Sequence, residues 1–333
     1  MRAKTIPIAL TFLFVSTAVG QSLDRVLHFT QADTPQGWQE IATAIRGTTH
    51  IQLSVDSASR TMALSGTAGQ VAVAEWLFHK LDQPADRPPD GTHEYAVPDG
   101  GNDVVRVFFV AHPRTPQGLL EIGTATRGIA DIGQVFFYTA SKAIVLRAPT
   151  RDIAVAGWLV EQLDKPDAEA PSGQQEYLMP GSKENVVRVF YPAHSRTAQS
   201  LQEMVTTIRS VADINRLFVS TAPESVTVRG TADRVALAEW LFHELDQPAG
   251  GPLRATHEYA APRGGSDIVR VYFLAHTGTP QGLQEMLSQI RSTTEIQRVF
   301  ICSAPKAVAI RGTAGQLAQA ERLIEERDHP AAR

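Results

Sequence analysis

The chain has 333 residues, 43% of them hydrophobic and 20% charged, with a formal net charge of −4 at pH 7. That balance suits a globular protein with a buried core and excludes a disordered or fibrous chain. A slightly acidic chain lacks the basic surface that releases counterions from a polyphosphate, so nucleic acid is not expected as a partner.

The first residues read as an export signal. Arg2 and Lys4 make a positive start, Ile6 to Val15 an apolar run, and Ala18-Val19-Gly20 the small residues of a cleavage site. Residues 1–20 are therefore expected to be a signal peptide, placing the protein in the periplasm with a start near Gln21. No later stretch reaches the roughly 18 apolar residues of a membrane span. The single cysteine, Cys302, can neither close an internal disulfide nor carry a lipid beside the signal, and it reads as a small buried hydrophobe.

Beyond the signal the chain repeats itself. The segments VVRVFFVAH, VVRVFYPAH and IVRVYFLAH place Arg106, Arg188 and Arg270 at a step of 82 residues. Leu-Asp-x-Pro recurs at Leu81-Asp82, Leu163-Asp164 and Leu245-Asp246 on the same step, and becomes Arg327-Asp328 in the last copy. The first copy lacks one residue, between Ile51 and Leu53.

Within a copy the hydrophobic period switches twice, most clearly in the fourth. Ile268 to Ala275 alternates and is rich in branched and aromatic residues, as a strand is. Thr279-Pro280 starts a helix, along which Leu283, Met286, Leu287 and Ile290 recur at helical spacing. Arg298 to Cys302 and Ala307 to Arg311 read as two strands joined at Ala304-Pro305. Thr313 and Gln316 then form a capping box for a second helix with Leu317, Ala320 and Ile324 along its apolar stripe. The expected fold is α/β (α+β): four tandem βαββα two-layer modules, each a three-stranded sheet with two helices on one face. They span 22–84, 104–166, 186–248 and 268–330, with linkers at 85–103, 167–185 and 249–267. Each linker holds Glu-Tyr-x-x-Pro, with the tyrosines at Tyr95, Tyr177 and Tyr259.

VVRVFYPAH, the helix led by Thr-Pro-Gln-x-Leu-Gln-Glu, the strand pair ending VTVRGTADRV, and ALAEWLFHELDQP together resemble the periplasmic N-terminal domains of bacterial secretins. The resemblance covers nearly all of the chain after the signal, in four copies. It implies a KH-like βαββα fold and a place in the outer-membrane channels of type II secretion or type IV pilus systems. A secretin continues into a large β-barrel domain that has no counterpart among these copies, so a role in secretion comes by analogy only.

Two surfaces are candidate contacts. In helix two, Trp76, Trp158 and Trp240 lie on an apolar flank that becomes Gln319 and Arg322 in the last copy. Each tryptophan either docks on the tyrosine of the following linker or completes its own module's core. In strand one, Val105, Val107 and Phe109 point to one side, and Arg106 with Phe108 to the other, as do Arg188 with Phe190 and Arg270 with Tyr272. Arg147, Arg229 and Arg311 are expected on that second face, which is either an open interface or a solvated sheet surface.

No catalytic residues are expected. The chain has no Gly-x-Ser-x-Gly and no phosphate-binding Gly-x-x-x-x-Gly-Lys, and it repeats the same residues in separate places where an enzyme would gather different ones. His112, His194 and His276 recur singly, His79 and His243 lie in helix two, and no metal or cofactor site follows from them. Gly66 to Gly69 and Gly312 to Gly315 have the spacing of a KH nucleic-acid loop but join a strand to a helix, where they end the one and cap the other. The reading is a non-enzymatic periplasmic scaffold with protein partners: a secretin channel, a secretion or pilus component, or itself as a homo-oligomer. The alternative is a free-standing array of binding modules for a secreted protein, a pilin or a cell-wall ligand.

Overall fold

The computed structural model describes residues 22–84, 93–98, 100–112, 115–166, 175–195, 197–221, 223–248, 257–262, 265–277 and 279–329. The expected signal peptide lies outside them. The order strand, helix, strand, strand, helix occurs four times. The first unit holds β1 (Leu23–His28), α1 (Pro35–Thr49), β2 (Gln52–Asp56), β3 (Thr61–Gly66) and α2 (Ala68–Leu81). The second holds β4 (Glu94–Ala96), β5 (Asp103–Phe109), α3 (Pro116–Ala130), β6 (Gln134–Tyr138), β7 (Ala143–Pro149) and α4 (Thr150–Leu163). The third holds β8 (Gln175–Leu178), β9 (Val186–Phe190), α5 (Ala198–Val211), β10 (Arg216–Thr221), β11 (Glu224–Gly230) and α6 (Ala232–Leu245). The fourth holds β12 (His257–Ala260), β13 (Asp267–Phe273), α7 (Pro280–Thr294), β14 (Arg298–Cys302), β15 (Ala307–Thr313) and α8 (Ala314–Arg327).

The helices begin where the sequence supplies an acceptor. Thr34, Thr115 and Thr279 are extended N-caps whose side chains accept from the backbone N–H three residues on, with proline at the first helical position. Thr67 with Gln70 and Thr313 with Gln316 form capping boxes at α2 and α8, so both Gly-x-x-Gly segments end a strand and open a helix.

All four sheets are antiparallel, and the third strand of each unit lies between the first and second. In units two to four a further strand extends the sheet. Segments β4, β8 and β12, from the stretches expected to be linkers, pair with β5, β9 and β13, setting Tyr95 opposite Val105, Tyr177 opposite Val187 and Tyr259 opposite Val269.

The units stack. Helix α1 packs on β6, α3 on β10 and α5 on β14, so each of the first three helix pairs is sandwiched between its own sheet and the next. The first core accordingly takes in Val105, Val107, Tyr138, Ala143 and Val145 from the second sheet. Val187 and Val189 join the second core, and Val269, Val271, Cys302, Ala307 and Ala309 the third. A sheet covered on both faces needs apolar residues at successive positions. Ala143, Ile144, Val145 and Leu146 of β7 are all fully buried, whereas β3, covered on one face only, alternates buried Met62 and Leu64 with exposed Ala63.

Candidate functional site

The repeated polar residues converge on the three junctions between stacked units. Antiparallel partners share a sheet face, and Val105 lies opposite Arg147. Arg147 therefore points toward the preceding unit, as do Arg229 and Arg311. There each reaches the C-terminal end of the preceding unit's first helix, where backbone carbonyls lack helical partners and the dipole favours a cation. The Arg147 guanidinium donates to the Thr48 carbonyl at 2.7 Å, Arg229 to the Ile129 carbonyl, and Arg311 to the Val211 carbonyl at 2.7 Å.

An aspartate one or two residues beyond the helix sharpens the contact. Asp131 and Asp213 adopt positive φ of 59° and 54° and bring a carboxylate under the arginine, at 3.0 Å from Arg229 and 2.9 Å from Arg311. Each also binds the arginine that opens the next second strand, Arg216 at 2.6 Å and Arg298 at 2.7 Å. At the first junction the same places hold His50 and Gln134, 3.4 Å apart. Burial and the neighbouring Arg216 charge push the Arg229 guanidinium pKa down, and Asp131 opposes them.

A second polar link lies at the other end of the same helices. Glu121 accepts from the backbone N–H and hydroxyl of Thr221 at 2.8 Å, and Glu203 from those of Ser303 at 2.7 and 2.9 Å. Glu40 holds Thr139 in the same way. Between these links the backbones approach closely. A Cβ on Gly47 would fall 1.9 Å from the Phe136 ring, and one on Gly128 would fall 2.1 Å from that of Phe218, so both helices need glycine where the next sheet's phenylalanine presses in.

Beside them the helix-two tryptophans meet the added strands. Trp76–Tyr95, Trp158–Tyr177 and Trp240–Tyr259 each have ring centroids 5.4 Å apart. Because those tyrosines belong to the next unit's sheet, each pair bridges two units.

The placement of strand-one residues corrects the sequence expectation. Arg106 and Phe108 do not share a face with Arg147, and their side of the sheet is the one covered by their own unit's helices. The same correction applies to Arg188 and Phe190 relative to Arg229, and to Arg270 and Tyr272 relative to Arg311. Phe108 packs against the second core, Phe190 and Tyr272 are buried in the third and fourth, and Val105 and Val107 face the preceding unit. Strand alternation splits residues between two faces without saying which face its own helices cover. Arg188 pairs with Glu176 and Glu239, and Arg270 pairs with Glu258 at 2.6 Å and Glu321 at 3.0 Å. Burial pushes the Arg270 guanidinium down, but hydrogen bonds to Glu258 and Tyr272 outweigh it and leave its pKa raised.

The aspartate of Leu-Asp-x-Pro was not singled out as a site residue, and its role emerges only in three dimensions. Asp82 accepts from the backbone N–H groups of Thr30, Gln31 and Ala32, Asp246 from those of Ala193, His194 and Ser195, and Asp328 from those of Ala275, His276 and Thr277. Asp164 binds Ala111 and His112 likewise. The carboxylate thus ties the loop after strand one to the end of helix two. The recurring histidines lie in that loop, where Gln31 donates the equivalent backbone N–H in the first unit. Its 82-residue recurrence was the available signal.

Cys302 faces α5 of the preceding unit, 3.6 Å from the Thr207 hydroxyl. Burial pushes its pKa up to about 12. Among the described residues no group of three or more His, Cys, Asp or Glu side chains is placed to hold a metal ion, and no helix is long and apolar enough to cross a membrane.

The chain matches no protein-family model and no curated protein. Solved structures similar to parts of it include the N-terminal domain of the secretin XcpQ from Pseudomonas aeruginosa, at 17% identity over 44% of this chain with a TM-score of 0.20. ExeD from Aeromonas hydrophila is 14% identical over 69% of the chain, with a TM-score of 0.17. An Aeropyrum pernix protein of unknown function, APE0754, is 10% identical over 46% of the chain and 86% of its own length, with a TM-score of 0.24. The chain spans 63% of the XcpQ domain and 42% of ExeD. At such scores the likenesses carry no functional argument, and the contacts within the stack have to carry it.

The two outer faces of the stack differ from the junctions. The first sheet exposes Asp24, Val26, His28, Ser54 and Asp56 and has Ser65 where the junction arginines stand. The outer side of α7 and α8 exposes Glu285, Ser292, Gln319 and Arg322, with no tryptophan.

Proposed function

We propose that the chain is a non-enzymatic periplasmic scaffold: a rigid stack of four units that offers its flanks to protein partners. The secretin-type channel of a type II secretion or type IV pilus system is the assembly proposed for it. That setting rests on the sequence resemblance described above. The observation that carries the scaffold reading is the double coverage of sheets two to four. Each junction joins a helix pair to the next sheet through an apolar interface, an arginine clasp and a glutamate bridge. Units held in this way move together, as repeat proteins with strong nearest-neighbour interfaces do.

The candidate tryptophans, tyrosines and arginines are largely used inside the stack, so a partner has to meet other surfaces. The outer faces, polar apart from Val26 and Ala63 on the first sheet and without the junction arginine or tryptophan, favour a stack that does not extend itself end to end through the same contacts. This supports the alternative of a free-standing array over a homo-oligomer built by stacking. Small-angle scattering on the exported chain tests the scaffold. Four sheets and four helix layers at about 10 Å each give a rod of about 80 Å. A broad distribution of lengths, as from beads on a string, overturns the reading. Co-purification with a secretin tests the setting, and its absence from cells making both proteins counts against that part alone.

A further inference from the structure

The second unit breaks a pattern that the others keep. In units one, three and four the strand-one arginine is met by a carboxylate from its own helix two: Arg25 by Glu75 at 3.0 Å, Arg188 by Glu239, and Arg270 by Glu321 at 3.0 Å. On the 82-residue step the corresponding residue of α4 is Gly157. Among the described residues the carboxylate that Arg106 keeps is Glu94, at 3.5 Å, and its guanidinium lies over the Phe108 ring at 4.8 Å. Its side chain is 39% exposed, against 17% for Arg188 and 19% for Arg270.

A second loss lies one helical turn along the same face. Phe242 of unit three stacks on Phe190 at 4.8 Å, and both rings are buried. The second unit has Val160 at that place, and Phe108 is left half-buried. The result is a groove of about 450 Å³ lined by His93, Glu94, Arg106, Phe108, Phe109 and Val160. This is the size of a binding pocket, and it combines an under-neutralised guanidinium with a half-buried aromatic ring.

We propose that this groove docks a helical segment of a partner protein that presents an acidic side chain and an aromatic ring three residues apart. The carboxylate takes the place of the missing glutamate on Arg106, and the ring lies over Val160 against Phe108. Residues three apart share a helix face, and Glu239 with Phe242 displays the pair within unit three. A second copy of this chain is a poor occupant, because its own pairs are in use. Phe78 and Phe242 are 1% and 3% exposed, and Glu75 and Glu239 are held by Arg25 and Arg188. The proposal rests on the scaffold reading and names the chemistry of its partner.

The probe is a dye-labelled, end-blocked alanine-lysine helix carrying Glu and Phe three residues apart, titrated into the full chain by fluorescence anisotropy. Saturable binding with a Kd below about 1 mM is expected. Changing the peptide's Glu to Gln, or its Phe to Ala, should weaken binding at least tenfold. In the chain, Gly157→Glu should do the same by restoring the internal ion pair. A Cβ at Gly157 makes ordinary contacts of 3.6 to 3.8 Å with Phe108 and Arg106, so the variant has room to fold. Val160→Phe fills the ring's place by an independent route and should also weaken binding. Absence of saturation up to about 1 mM, equal affinity for the Gln peptide, or unchanged affinity in both chain variants overturns the proposal. A chain that scatters as a rod yet fails these titrations leaves the scaffold reading standing and removes the groove's role.

Discussion

Replacing Arg229 with methionine keeps an aliphatic stem in the junction between units two and three and removes the guanidinium. Arg229 is 5% exposed, and it donates to the carbonyls of Ile129 and Glu184, the Ser182 hydroxyl and the Asp131 carboxylate. Asp131 is 53% exposed and keeps Arg216, so water and that partner absorb much of its loss. The Ile129 carbonyl ends α3 beneath the third sheet and has no such relief. A hydrogen bond from a charged donor contributes about 1.5–3 kcal/mol, and a cation at a helix C-terminus adds up to about 1 kcal/mol. Relief from desolvating the guanidinium offsets part of this, and a net loss of about 3 kcal/mol at the junction is expected. Local opening should then be about 100-fold more frequent. Hydrogen exchange followed by mass spectrometry reads it as faster exchange in the last turn of α3 and in β10 and β11, with the α7 and α8 segments unchanged. Exchange within about threefold of the native chain at those strands would refute the reasoning.

Three further outcomes follow from named contacts. Gly128→Ala improves helix propensity by about 1 kcal/mol, yet its Cβ would fall 2.1 Å from Phe218; a net destabilisation of about 1–3 kcal/mol in urea titration is expected, and stabilisation would contradict the close packing. Cys302, buried against α5 with its pKa pushed up to about 12, should resist iodoacetamide at pH 8 in the native chain and become labelled at least tenfold faster in Arg311→Met, which opens the same junction. Burial raises the Asp328 pKa, but N–H groups of Ala275, Thr277 and His276 outweigh it and leave the carboxyl below its ordinary value. Its contribution is therefore fully present above the unfolded value of about 4 and lost as pH falls through the folded value; exchange in α8 should rise on acidification below about pH 4, and Asp328→Asn should flatten that dependence.

Much of this architecture was legible in the residues. Thr279-Pro280 and the Thr313–Gln316 pair start helices where their side chains meet unsatisfied N–H groups, and the switch from alternating to helical spacing separates β13 from α7. The tryptophan and tyrosine positions stand out because they recur together and disappear together, and they meet at 5.4 Å. The stack itself left a trace that strand alternation alone did not reveal. AIVLRAP in β7 is apolar at successive positions while TMALSG in β3 alternates, which is the difference between a sheet covered twice and one covered once. The direction of Arg147 was not legible, because facing depends on pairing register, and register depends on which strands become neighbours.

Local chemistry along the chain determined the helices, the strands and the caps, since each depends on side chains within a few residues of one another, and the 82-residue recurrence of the same pattern gave the number of units. Only the tertiary structure decided what the repeats do to each other. Whether Arg229 is a surface charge or a clasp depends on a carbonyl 100 residues away, and whether Gly128 is a helix weakness or a necessity depends on Phe218 of the next unit. Those partners are brought together by burial of the sheets' second faces, a non-directional force that sequence spacing does not record.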